Sequence, residues 1–243
     1  MVLGDENTLN IFTDASLITT DTKEYITCSG AIAVANITTE NPVVVDRIFT
    51  INYNSTNNHG ELTAILNGIE IANRLQNQFT KLNLFSDSKI SVFGLRDWCT
   101  KWFNNIVGDP YATIVSSSGA PVSNQEVIIA IIKTIVTNNI RISIYHQNGH
   151  VDPSSPKEVN AAMQVFNGNN YFDCDRNRIH ADYKDVCLIS LFNGMVDCIS
   201  RDYLRNIDRS RNYNRFVRPL QYGMTLDLFN SYRSLINMKG GTK

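Results

Sequence analysis

The chain has 243 residues, 43% of them apolar and 19% charged, with a formal net charge of −1. That length admits one large domain, or one ordinary domain with an extension, and enough apolar residues for a sizeable core. No run approaches the roughly 18 apolar residues of a membrane span, and MVLGDENTLN lacks the basic end and apolar stretch of a secretion signal, so a cytoplasmic protein is expected.

The first element is NIFTDAS at 10–16. Asn10, Phe12 and Asp14 share one side of a two-residue repeat, which predicts a strand over about 8–15 ending on a carboxylate. ITCSGAIAVAN at 26–36 and NPVVVDRIFTINY at 41–53 predict two more strands, with Pro42 suited to a strand start. The period then changes: Leu62, Ile65, Leu66, Ile69 and Ala72 predict a helix over 58–75. KLNLFSD returns to strand at 81–87. A helix follows from Ser88 to Trp102, with Val92, Leu95 and Trp98 on one face. After a loop, a helix is expected over 122–136 and a strand over 140–147. The Asn- and Asp-rich segment 148–180 carries no assignable pattern, and a long helix covers about 178–206. Three hairpin-forming strands followed by alternating helix and strand predict an α/β fold, with a mixed sheet flanked by helices.

Three acids recur at ends of elements: Asp14 after the first strand, Glu61 in the opening turn of the first helix, and Asp87 after the fourth strand. Taken singly, Asp14 and Asp87 are ordinary strand terminators, and Glu61 is what a helix dipole favours. Together they would repel one another unless a cation sat between them. Oxygen donors without Cys or His select Mg²⁺ or Mn²⁺ over zinc. The five cysteines are scattered and never spaced as CxxC, so buried thiols are expected rather than a zinc site or disulfide framework.

IFTDAS, STNNHGELTAI and LFSDSKISVFGL, in this order, resemble the three acid-bearing motifs of type 1 ribonuclease H. Gly94, Trp98 and Trp102 resemble that family's substrate-gripping handle, and PVSNQE its PVxN element. The similarity covers about residues 8–150. It implies a ribonuclease H-like fold with a five-stranded mixed sheet, an insertion before the last core helix and a basic C-terminal extension. The implied activity is cleavage of the RNA strand of RNA–DNA hybrids with two metal ions, leaving 5′-phosphate and 3′-hydroxyl ends. By the same resemblance Asp14, Glu61 and Asp87 are metal ligands, and Ser16, Thr56, Asn57, Asn58, Lys89, Trp98, Trp102 and Asn124 contact substrate. Without it, the Asn pair before a helix reads as a cap. The handle departs from the family in having few cations: Lys89, Arg96 and Lys101 against Asp97.

The family's Gly-His loop is matched by Gly149 and His150, with His146 as the rival. Its fourth acid follows an NxxxD pattern that Asn193 and Asp197 reproduce. Asp197 is preferred, although it makes 151–190 an insertion; Asp182, Asp173 and Asp175 also lie in range. The domain is expected to span 1–206, with 207–243 as the extension. From Arg201 onward there are nine Lys/Arg against three Asp/Glu. Arg201, Arg205, Arg209, Arg211, Arg215 and Arg218, with Tyr203, Tyr213 and Phe216, form either a nucleic-acid surface or a helix docked by ion pairs on the acidic body. The implied partners are RNA–DNA hybrid and replication proteins, the role being primer removal. Two other readings are a catalytically silent module of the same fold and a two-metal DNA nuclease or resolvase.

Overall fold

Three antiparallel strands open the structure: β1 (Thr8–Thr19), β2 (Tyr25–Ala35) and β3 (Val43–Tyr53). The structure is a computed structural model that describes residues 2–20, 23–39, 41–98, 102, 103, 106, 109 and 111–210. Helix α1 (Asn57–Leu75) leads to β4 (Lys81–Ser86), which lies parallel to β1. Helix α2 (Lys89–Phe93) continues as a π-helical turn at Gly94–Trp98. Helix α3 (Gln125–Thr137) precedes β5 (Ser143–His146), parallel to β4. Helices α4 (Pro156–Asn169) and α5 (Tyr183–Ser210) complete the order. The sheet runs β3-β2-β1-β4-β5, the five-stranded mixed sheet that the sequence predicts.

Both faces of β1 are buried because helices pack on both sides of the sheet, and its side chains alternate between them. Leu9 and Ile11 face α1 and α3, packing with Ile65, Ile69 and Ile131. Phe12 faces α5 and stacks on Phe85 and Phe192, with ring centroids 5.2 and 5.3 Å apart. Asp14 and Ser16 share that second register. The last turns of α5 seat Leu204 and Ile207 on Ile26 and Cys28 of β2, which fixes the helix against the sheet below the acids.

Four expectations change. Asp14 does not end β1, because the strand continues to Thr19 as the partner of β2. What stops at Thr13 is the pairing with β4, so Asp14 is the first residue of β1 with that flank open. The helix predicted over 88–102 is a five-residue α-helix that passes into a π turn by Trp98, and residues 99–101 lie outside the described residues. Helix α3 starts at Gln125, not 122. The segment 148–180 contains α4, capped by Ser155 accepting from the Glu158 amide, with Pro156 in its first turn. Val159, Ala162 and Phe166 bury its inner face.

No disulfide joins Cys28, Cys174, Cys187 and Cys198; burial pushes the Cys28 thiol up to about 12. No helix of the described residues is long and apolar enough to cross a membrane. Arg211, Tyr213, Arg215, Phe216 and Arg218 lie outside the described residues, as do the side chain of Arg209 and Cys99.

Candidate active site

Where β1 and β4 part, three carboxylates meet. Asp14 comes from β1, Asp87 follows directly on β4, and Glu61 comes from α1. Each offers an oxygen within 4.8 Å of the other two. Glu61 is the fifth residue of α1, beyond the opening turn, so the helix dipole does not account for it. It reaches the sheet because Gly60 lets α1 approach β1; a Cβ there would meet Ala15 and Thr27 at 3.1 Å.

Asp14 is 4% exposed and Glu61 6%. Asp14 Oδ1 accepts from the Ala15 amide at 2.7 Å, and Glu61 approaches the same amide. Glu61 Oε2 is buried with no hydrogen-bond partner. Burial, then Asp87 and Glu61, hold the Asp14 carboxyl well above the usual range. Burial, then Asp87, push Glu61 up to about 9. Asp87 is also raised by burial, offset in part by a hydrogen bond from Asn193 and by the charge of His150. An orphaned buried oxygen and mutually repelling oxygen donors fit a hard divalent cation. Magnesium- or manganese-sized ions suit this donor set better than zinc.

Asp197 stands beside the three on α5, close enough to raise Asp14, Glu61 and Asp87 electrostatically. Ser16 donates to its Oδ1 at 3.3 Å, and Arg201 pairs with its Oδ2. The rival acids are used elsewhere. Asp182 caps α5, accepting from the Asp185 amide at 2.8 Å. Asp173 is tied up by Asn177 and the Asp175 amide in its own turn, and Asp175 pairs with Arg141.

The two histidines separate cleanly. His150 has a side chain 77% exposed and lies 3.7 Å from Asp197 Oδ2. His146 is buried: its Nδ1 accepts from the Asn169 side-chain Nδ2 at 3.0 Å, and the ring also hydrogen-bonds the Asp87 backbone. Burial holds His146 below the usual imidazole range. It braces Asp87 and does not face solvent.

Thr56 is the N-cap of α1, accepting from the His59 amide. The cap is therefore Thr56 and not the Asn pair, which leaves Asn57 and Asn58 exposed at the helix start. His59 lies 3.8 Å from Glu126 of α3, which brings Asn124 to the same side; the Asn124 side chain makes no cap hydrogen bond. Lys89 is exposed, its ammonium 5.8 Å from the Phe93 ring. Trp102 is half-buried against the α1–α3 core cluster, which favours a packing role; the Trp98 side chain lies outside the described residues.

A family model described as RNase H matches residues 6–163. The chain belongs to the RNase H family. That match contains Asp14, Glu61, Asp87 and His150; Asp197 lies beyond it. Membership supports ribonuclease activity in the broad sense, and the family is metal-dependent. Among solved structures, the PFV RNase H domain is 17% identical, with 68% of this chain and 94% of that one covered at a TM-score of 0.50, a likeness of fold. The foamy viral protease-reverse transcriptase in complex with RNA/DNA hybrid is 14% identical over 67% of this chain, with a TM-score of 0.49. The RNase H chain spans about a fifth of that protein, with 20% covered. LC9-RNase H1, a type 1 RNase H with the type 2 active-site motif, is 15% identical, with 73% and 79% covered and a TM-score of 0.45. No curated protein matches the chain.

One participant escapes the motifs, and a motif glycine acts in a way the motif does not reveal. Arg201 reads as part of a basic helix face, yet it pairs with Asp197; its i, i+4 spacing from Asp197 was the available signal. Gly149 matters for its missing side chain, since a Cβ would lie 2.2 Å from Asp87 Oδ2. Gly149→Ala is therefore expected to displace Asp87 and slow hydrolysis about a hundredfold, the scale of a 1 Å misplacement. Its melting temperature should stay near wild type. Full activity in that variant would show that the contact is relieved elsewhere.

Proposed function

We propose that the chain is a divalent-cation-dependent endonuclease that cuts the RNA strand of RNA–DNA hybrids. The observation that carries this reading is the group of buried Asp14 and Glu61 with half-buried Asp87, drawn from β1, α1 and the end of β4 in an RNase H frame. These three, with Asp197 beside them, would hold two cations of the Mg²⁺ or Mn²⁺ type. When bound, the cations lower the pKa of the attacking water and neutralise charge on the phosphate.

The chain's own residues do the rest. Exposed Asn57 and Asn58, with Thr56 fixing their helix start, present amide donors and acceptors to sugar edges, where the 2′-hydroxyl alone separates RNA from DNA. Asn124 lies on the same side. Lys89 supplies a cation for a phosphate. Ser16 holds Asp197 by one oxygen. His150, solvent-exposed beside Asp197, is placed to pass a proton to or from water near the reacting phosphate. Water oxygen bonds to phosphorus, the bond to the 3′-oxygen breaks, and that oxygen takes a proton, giving 5′-phosphate and 3′-hydroxyl ends. Residues 1–206 with the rest of α5, whose Ile207 packs on β2, form the nuclease unit, and the basic chain beyond is a nucleic-acid-binding extension; removal of RNA primers beside replication proteins is the matching task.

The test offers end-labelled RNA–DNA hybrid, double-stranded RNA and duplex DNA, each with Mg²⁺, Mn²⁺ or chelator. Cation-dependent cutting confined to the RNA of the hybrid is expected. Cutting of DNA alone would replace this reading with a DNA nuclease or resolvase, and no cutting of any substrate with a silent module.

A further inference from the structure

Asp197 is a fourth acid that already has a counter-ion. Both of its oxygens are engaged: Oδ1 by the Ser16 hydroxyl and Oδ2 by the Arg201 guanidinium, with His150 Nδ1 at 3.7 Å from Oδ2. The three other acids have only partial relief: Asp14 accepts from the Ala15 amide, and Asp87 accepts from Asn193 with the charge of His150 nearby. Among the described residues no Lys or Arg pairs with Asp14, Glu61 or Asp87, and their oxygens cluster without Asp197. The site is thus electrostatically divided. One part is a trio with no Lys or Arg paired to it among the described residues, and the other a carboxylate whose charge Arg201 neutralises.

We infer that Arg201 is a built-in competitor for the second cation, guarding Asp197 until substrate phosphate draws the guanidinium away. This rests on the metal-dependent reading above. The Asp197 side chain is 9% exposed and that of Arg201 47%, so the pair is shielded on one side and stronger than a fully solvated ion pair. A guanidinium keeps its charge at any working pH, so only displacement, not deprotonation, can remove it. A divalent ion reaching Asp197 meets that positive charge within a few ångströms, and the repulsion weakens binding. Arginine's planar fork also matches a phosphate, which gives the guanidinium somewhere to go when hybrid is bound. Ser16 keeps Asp197 in place once Arg201 leaves, so the arginine is not needed as an anchor. Arg201 is a positioning residue in this scheme; it acts through Asp197.

The test counts bound Mn²⁺ by electron paramagnetic resonance on the nucleic-acid-free full chain, alongside Arg201→Gln and Arg201→Lys. The wild type should take up one ion tightly and a second weakly. Arg201→Gln should leave the first unchanged and tighten the second by about tenfold, equivalent to ~1.4 kcal/mol. Arg201→Lys, which keeps the charge, should restore the weak second site. The Mg²⁺ concentration giving half-maximal cleavage should fall in Arg201→Gln by a similar factor. A second affinity that is unchanged or weaker in Arg201→Gln overturns the competitor role while leaving the trio's cation intact. Absence of even the first ion in the wild type overturns the metal reading itself, so the two failures are distinct.

Discussion

Asp14→Asn is expected to abolish hydrolysis and, in the metal-free protein, to raise stability. The two effects have one cause. Asp14 is buried against Asp87 and Glu61, and its carboxyl is held well above its ordinary range. Asparagine has the same shape and can still accept from the Ala15 amide, so little packing is lost. What goes is a buried charge or the cost of keeping it protonated. Relief of about 1–3 kcal/mol is expected, which for a domain of this size raises Tm in chelator by roughly 3–10 °C. Activity should drop by at least ~10²–10³-fold, the scale of losing one electrostatic stabiliser of a transition state. With saturating Mn²⁺ the order should reverse, because a cation that binds only the folded state stabilises the wild type more. Melting curves with and without Mn²⁺ check this; a variant less stable than wild type in chelator would contradict the picture of strained, repelling acids.

The metal-free protein should lose stability as pH rises from 7 to 9. Glu61 is ordinarily half-protonated at 4.5 but is pushed up to about 9 in the fold, by burial first and then by Asp87. Between those values the unfolded chain has released a proton that the folded chain keeps. Unfolding therefore releases a proton, and each rise in pH favours it. The contribution is fully present below the ordinary value and is gone once pH passes the folded one. Asp14 and Asp87, both raised, act in the same direction. His146 acts oppositely, since burial lowers its pKa, but only near and below its ordinary 6.5, which is why the window starts at 7. The expected loss is on the order of 2–4 kcal/mol. Tm in chelator should fall across this window, Mn²⁺ should remove the slope, and Asp14→Asn should show a shallower one. A flat profile in chelator would mean that the acids are ionised at neutral pH and already compensated.

Much of the fold is legible in the sequence because its signals are local. β1, β2 and β4 read as β-rich runs because both of their faces are buried, and the 3.6-residue period of α1 follows from the face it turns to the sheet. The acid trio is legible because each member sits in a short motif, although only Asp87 lies at an element boundary. The misses have a different origin. Whether Asp14 ends a strand depends on two partners that stop at different places, and β1 alone does not reveal that β4 leaves at Thr13 while β2 continues. The short α2 and its π turn replace a pattern that reads as one helix through Trp102. Helix α4 did carry a signal, since SSPKE has a capping Ser, a first-turn Pro and a Glu three places on. Its neighbours rich in Asn and Asp masked that signal. Asp197 rests on the weak NxxxD pattern, and its neighbours Ser16, 181 positions away, and His150 are distant in the chain.

The end of α4 has a consequence for how the molecule comes apart. Asn170, buried, accepts from the His146 amide and donates to its carbonyl, so one side chain closes both backbone groups at the tip of β5. On the opposite margin β3 pairs only with β2 and shows Val43 and Val45 to solvent. Partial opening therefore starts by peeling β3 away, whereas the β1–β4–β5 half stays closed. Amide protons around Asp14 and Asp87 would exchange among the last in the sheet, and the acidic trio stays gathered in states where one of the five strands has already frayed.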